Sequence, residues 1–389
     1  MDRSPVSRQN SYTSYGKALK VVREAILGKP NLREVLAATS ELVISTLSFD
    51  PNAYDWSVHV WGQYRLLNIV SEQGTLCDDV IQSTFYACYQ VSIVRPIDMA
   101  SGRDSQFDTP SWLAFPAPSD TWFGGVAGAG IAQQTVMKAM VRIPRLWRLV
   151  HCFRLHPGEK TDRAAAELGA ELFKLSLEPW IVKLINSQVL IVSHHEKPNA
   201  DSEYLRLFSF KIPSVRMLCL LFDYWQSRIL ICGCLQTLFS LSPNAFTDWP
   251  FNITAVQHAD VVAASNLMAC ADEMSALGNI APIARLRFSP TTMNAFSAWN
   301  RLERRARRQV AQSPGEDAEH KRIALAAAQM QRRCCGLMSR WIDFWKPRDD
   351  GSELERFHCQ MHIHCEFMEC GEVPVYLRQV PALRTQDIS

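Results

Sequence analysis

The 389-residue chain has no CxxC pair, no GxSxG and no HExxH. The first absence removes the usual spacing of a structural zinc site. The other two remove the nucleophile elbow of an α/β-hydrolase and the paired helical histidines of a zinc protease. Charge of one sign is also scarce, because the formal net charge is only +2. A surface that binds phosphate backbones normally leaves a basic excess in the composition, so the bulk of this chain is not expected to bind nucleic acid. Long uninterrupted apolar runs are missing too. Met217 to Leu241 is the most apolar stretch, but Asp223, Gln226 and Arg228 break it. Those residues are costly at the centre of a bilayer and tolerable in a buried core helix, so no membrane span is expected. The N-terminus reads MDRSPVSRQNSYTSYGK, without an apolar signal segment. Twelve scattered cysteines are therefore expected as reduced thiols of an intracellular protein.

What is present is 47% hydrophobic content, enough to bury a large core. Its periodicity is helical. Apolar residues recur at helical spacing from Tyr15 to Ile26, and Asn31 can cap a second helix whose stripe is Leu32, Val35, Leu36, Thr39, Leu42, Val43, Thr46 and Leu47. Asp55 can cap a third, carrying Val60, Tyr64, Leu67 and Val70, and Cys77 to Val94 reads as a fourth. Four antiparallel helices with short turns follow. Pro96, Pro110, Pro116 and Pro118 and the run FGGVAGAG then mark residues 95–130 as a long irregular connection, after which helical spacing resumes at Ile131. Stop signals at Pro157–Gly158, Pro198–Asn199, Pro213 and Pro243 divide the next stretch, and β-type alternation never persists. Arg301 to Gln331 reads as helix, exposed loop at Ser313 to Asp317, and helix. The fold class is all-α: one large domain built as an array of antiparallel helical hairpins.

The segments YGKALKVVREAI, LREVLAATSELVISTLSF, DWSVHVWGQYRLL and SQFDTPSWL occur in that order over residues 14–113. Together they resemble the fungal-specific transcription factor domain, the regulatory body that follows the DNA-binding module of fungal binuclear zinc-cluster proteins. Trp56, His59 and Gly62 stand where that family has a tryptophan, a histidine and a glycine, and Ser105 to Trp112 resembles the stretch after its next helix pair. A looser likeness covers 250–345, including the turn at Pro290. All three residues of the tryptophan motif fall within two helical turns. Packing is their expected role, with Gly62 permitting close helix approach and His59 bonding a carbonyl. The family's zinc cluster needs six closely spaced cysteines holding two metals; here the first cysteine is Cys77. Without the cluster no element remains for reading a major groove, so direct sequence-specific DNA binding is not expected.

Other constellations favour plain readings. In FHCQMHIHCEFMEC, His358, Cys359, His362 and Cys365 lie near one helical face but His364 points away, and Cys370 lies beyond; four ligands do not converge without a turn. Cys232 and Cys234 diverge on a helix and belong to the core. The glycines Gly124, Gly125, Gly128 and Gly130 precede a helix, as in an anion-binding loop, but no strand leads in and no Lys-Ser/Thr follows. His194 and His195 are placed in a polar turn. Arg301, Arg304, Arg305 and Arg308 share a helical face, read as a solvated surface ahead of a nuclear-import patch. The helix of Met217 to Leu241 could line a cavity for an apolar molecule, with solid core the first reading.

Residues 1–13 are thus expected to form a disordered tail. Residues 14–389 are expected to form the regulatory domain, with a polar mobile segment near 309–320. No residue is singled out as catalytic, cofactor-binding or metal-ligating. The resemblance implies a nuclear regulator or co-regulator of transcription, for a fungal secondary-metabolite gene cluster, working through DNA-binding or transcription-machinery protein partners or an apolar effector. A chain beginning downstream of its zinc cluster would show the same absence; six close cysteines encoded upstream would separate the two. The competing expectations are an all-helical tailoring enzyme acting on an apolar metabolite, and a scaffold with neither ligand nor transcriptional output.

Overall fold

The computed structural model of the protein describes residues 5–27, 31–49, 55–72, 79–90, 102–156, 158–194, 208–243, 252–280, 282–312 and 318–343. Among these residues the fold is all-α with one small hairpin. Helix α1 (Pro5–Leu27) begins ten residues ahead of the expected Tyr15, with proline in the first helical position, so residues 5–13 lengthen this helix instead of preceding it as a tail. Asn31 then caps α2 (Leu32–Phe49): its carboxamide oxygen accepts from the Arg33 amide at 3.2 Å and its nitrogen donates to Glu34 at 3.0 Å. The predicted stripe faces inward, with Val35, Leu36, Thr39, Leu42 and Val43 all buried. The side chains of Thr46 and Leu47 lie outside the described residues. On α3 (Asp55–Glu72) Val60, Tyr64, Leu67 and Val70 are each no more than 5% exposed. Helix α4 (Asp79–Gln90) falls within the Cys77–Val94 expected, whose ends lie outside the described residues, and both it and α3 pack on α2.

The irregular connection does more than link. Within it lie α5 (Pro110–Leu113) and a 3-10 turn, Asp120–Phe123. Phe107, Trp112, Phe115 and Phe123 are buried, and the Phe85 ring stacks on Trp112 with centroids 4.6 Å apart and meets Phe107 and Phe115 edge-on. Helices α6 (Ala129–Met140) and α7 (Ile143–Leu155) follow. Arg148 of α7 grips Asp104 through two bonds of 2.7 and 2.8 Å, while Arg145 reaches the buried Asp108 at 3.1 Å. This segment is therefore held by aromatic packing at one end and by charge at the other.

Helices α8 (Glu159–Lys174) and α9 (Glu178–Asn186) lead to a two-stranded antiparallel hairpin, β1 (Ile191–His194) and β2 (Phe208–Lys211), with Val192 opposite Phe210. His194 thus ends a strand and does not sit in a turn. His195 and Pro198–Asn199 lie outside the described residues. Two strands of four residues are too short to show as alternation in the sequence.

The longest buried element is α10 (Val215–Leu241), started by Ser214, whose hydroxyl accepts from the Met217 amide at 3.2 Å. It is long and apolar enough to cross a membrane, but 89% of its apolar window is buried inside the fold. Helices α6, α7, α8, α11 (Ile253–Ala269) and α13 (Pro282–Gln312) all pack against it. The short α12 (Ala271–Ile280) joins α11 to α13. Helix α14 (Ala318–Asp343) lies along α13. Gln331 of α14 donates to Glu303 of α13 across the pair. The expected helix–loop–helix over 301–331 is therefore present as α13 and α14, and its loop, residues 313–317, lies outside the described residues.

Seven cysteines among the described residues form no disulfide. Burial pushes the thiols of Cys232 and Cys234 up to about 12 and that of Cys335 up to about 11, so each is a core hydrophobe and a poor nucleophile. The His358 to Cys370 cluster lies outside the described residues. Elsewhere, no group of His, Cys, Asp and Glu side chains among the described residues has the geometry to hold a metal ion.

Candidate ligand cavity

The glycine run meets its anion from within. Gly124, Gly125 and Gly128 take positive φ values of 73°, 78° and 78°, and they turn the chain so that the Gly128 and Gly130 amides face back. Both donate to the Asp120 carboxylate, at 2.9 and 2.8 Å. An aspartate of the preceding 3-10 turn therefore occupies the position at the α6 N-terminus that a bound phosphate would need. Trp180 of α9 fastens the same loop by donating from its indole N–H to the Ala127 carbonyl at 3.0 Å. The Gly130 and then the Gly128 bond hold the Asp120 carboxyl below the usual carboxylate range. Its depressed value means that it stabilises the fold above the ordinary carboxylate pKa, and that this contribution is lost as the pH falls through the lowered one. Asp120→Asn should lower urea stability at pH 7 and leave a smaller gap from the wild type near pH 3.

This turn also builds one wall of a cavity of about 490 Å³, which falls in the size range, roughly 300–1,000 Å³, typical of small-molecule sites. Asp79, Val80, Ser83 and Tyr86 come from α4, Trp122 and Phe123 from the 3-10 turn, Gln133 from α6, and Arg216 and Cys219 from α10. The α10 contribution is confined to the helix's first turns. Arg216 donates to the Trp122 carbonyl at 3.2 Å and sets its guanidinium 5.5 Å from the centre of the Trp122 ring. Tyr86 presents its ring edge-on to Trp122 with centroids 6.2 Å apart, and its hydroxyl donates to the Pro116 carbonyl at 3.3 Å. Burial raises the Tyr86 hydroxyl well above its ordinary value, so it stays protonated.

Gln133 is the informative residue. It is 1% exposed, and neither its amide oxygen nor its amide nitrogen has a hydrogen-bond partner. Each unmade bond costs about 1–3 kcal/mol. Ala129, Gly130, Ala132, Val136, Met137, Ala139 and Met140, the other buried positions of α6, are small or apolar. Gln133→Met should therefore raise the unfolding free energy by about 1–2 kcal/mol, read from the shift in the urea midpoint. Unchanged or lower stability would mean that the amide is satisfied in solution.

The structure separates the sequence-derived candidates. His59 bonds the Tyr15 hydroxyl, and the two rings meet edge-on at 5.7 Å, which ties α3 to α1. Among the described residues no atom of another element lies within 4 Å of where a Gly62 Cβ would sit, so none of them approaches Gly62 closely. Such approaches occur instead at Gly130 and at Gly169, where a Cβ would lie 2.4 Å from Leu235 Cδ2. The side chain of Trp56 is outside the described residues. The arginine face is not wholly solvated: Arg304 and Arg308 are exposed, but Arg301 and Arg305 turn inward. Arg301 holds both oxygens of the fully buried Asp260 at 2.8 Å, and Arg305 donates to Gln236 of α10. The sequence reading missed Gln133, although it is a polar residue on an otherwise apolar α6 stripe; it also missed the cavity, because the walls come from four separated segments. Comparison of the chain with family models, with curated proteins and with solved structures finds no match.

Proposed function

We propose that this protein is a ligand-responsive regulator or co-regulator of transcription, acting in the nucleus through partner proteins and not through a DNA-binding motif in this chain. The observation that carries the ligand part is the unpartnered Gln133 amide in the wall of the aromatic cavity. A stable fold gains nothing from an unsatisfied buried amide, and binding sites are where such a cost recurs. A carboxamide offers a donor and an acceptor side by side. With Trp122, Phe123 and Tyr86 around it, it suits a largely apolar, ring-bearing metabolite with a hydrogen-bonding edge. The regulatory part is supported by the ordered motifs of residues 14–113, which resemble the body of fungal zinc-cluster regulators. Expression of a fungal biosynthetic gene cluster is the output that this likeness suggests.

Transcript profiling of neighbouring genes in deletion, wild-type and Gln133→Met strains tests the reading. Deletion should change those transcripts, and the variant should blunt their response to pathway metabolites while the protein level holds. Unchanged transcripts together with accumulation of one unmodified intermediate would replace regulation with a tailoring enzyme.

A further inference from the structure

A second cavity of about 440 Å³ lies between α11, α13 and α14, away from the first. Its walls are mainly apolar, from Val261, Leu302, Ile323 and Ala326, with His258 and His320 beside them. Two features mark it as more than a packing fault. Trp299 is fully buried in its wall, and its indole N–H has no partner. Arg305, also in the wall, belongs to a network with one anion and two cations. Asp260 gives one oxygen to Arg301 at 2.8 Å and the other to Arg301 and Gln236, each also at 2.8 Å. Gln236 then turns its carbonyl oxygen to Arg305. Arg301 thus takes the carboxylate directly, whereas Arg305 bonds the neutral Gln236 amide and feels Asp260 only at longer range; burial, the larger influence, lowers its pKa. A half-buried guanidinium with donors to spare is a fit for a carboxylate, and the spare indole N–H fits a further ligand oxygen.

We infer that this cavity binds an amphipathic organic acid, with its carboxylate on Arg305, its apolar body between α11, α13 and α14, and an oxygen on the Trp299 N–H. The site is independent of the Gln133 cavity in residues and in chemistry, so either can fail without the other. The probes are decanoate and its uncharged counterpart decanamide, titrated calorimetrically into the full chain. Decanoate should bind saturably and at least about tenfold more tightly than decanamide. Arg305→Gln should bring the two within about twofold of each other. Ile323→Trp, which fills the cavity without touching the Asp260 network, should abolish the decanoate signal, whereas Gln133→Met should leave it unchanged. Absence of saturable decanoate binding, equal affinity for acid and amide, or binding that survives Ile323→Trp would each overturn the assignment.

Discussion

Adding a single methyl group at Gly130 is expected to destabilise the protein by about 3 kcal/mol. An ideal Cβ there would lie 1.9 Å from the Pro118 carbonyl oxygen and 3.0 Å from its carbon, with Asp120 Oδ1 at 3.3 Å. The nearest atoms belong to backbone, which cannot rotate away, so α6 must separate from the 3-10 turn. That separation also breaks the two amide bonds to Asp120 and opens the wall that carries Trp122 and Phe123. Gly62→Ala is the control with the opposite expected sign. Gly62 lies inside α3 with open space where its Cβ would sit, and alanine there should stabilise by about 0.5–1 kcal/mol through helix propensity alone. Urea unfolding of the two variants should therefore move the midpoint in opposite directions. Movement in the same direction would mean that the turn does not press on α6 as described.

This contrast shows where sequence reading succeeds. Stripes such as Val60, Tyr64, Leu67 and Val70 are local properties of one helix, and all four are buried. The Asn31 cap was equally legible, because capping depends on residues only two or three positions apart. What the sequence concealed was which glycine stands against another backbone. Gly62 sits in a motif and has open space at its Cβ position among the described residues; Gly130 sits in a run that suggests a phosphate loop and is pressed by Pro118, twelve residues upstream. Composition separates the two no better, since the anion that answers the glycine loop is Asp120, a residue in no recognised pattern. The cavities were hidden for the same reason, as each is closed by elements distant in the chain.

Arg301→Met is expected to have the other large effect, a loss of about 3–5 kcal/mol. Methionine keeps most of the aliphatic volume, so the cost measures the charge. Asp260 is wholly buried, and without Arg301 its carboxylate would retain only the Gln236 amide and a more distant Arg305. The guanidinium also needs room: its Nη1 lies 3.1 Å from where a Cβ on Gly233 would be. The residue between Cys232 and Cys234 thus matters more than the two thiols around it. Arg308→Met, on the exposed part of the same helix, should change stability by less than about 0.5 kcal/mol. The double variant Asp260→Leu with Arg301→Met decides the cause. If the loss comes from stranding a buried carboxylate, removing both charges should recover at least about half of it, whereas lost packing would make the two changes add. Recovery would establish that α10, α11 and α13 are registered by a charge pair that does not require that charge for stability as such. It would also leave Arg305 as a cation beside its cavity with no protein carboxylate in the network.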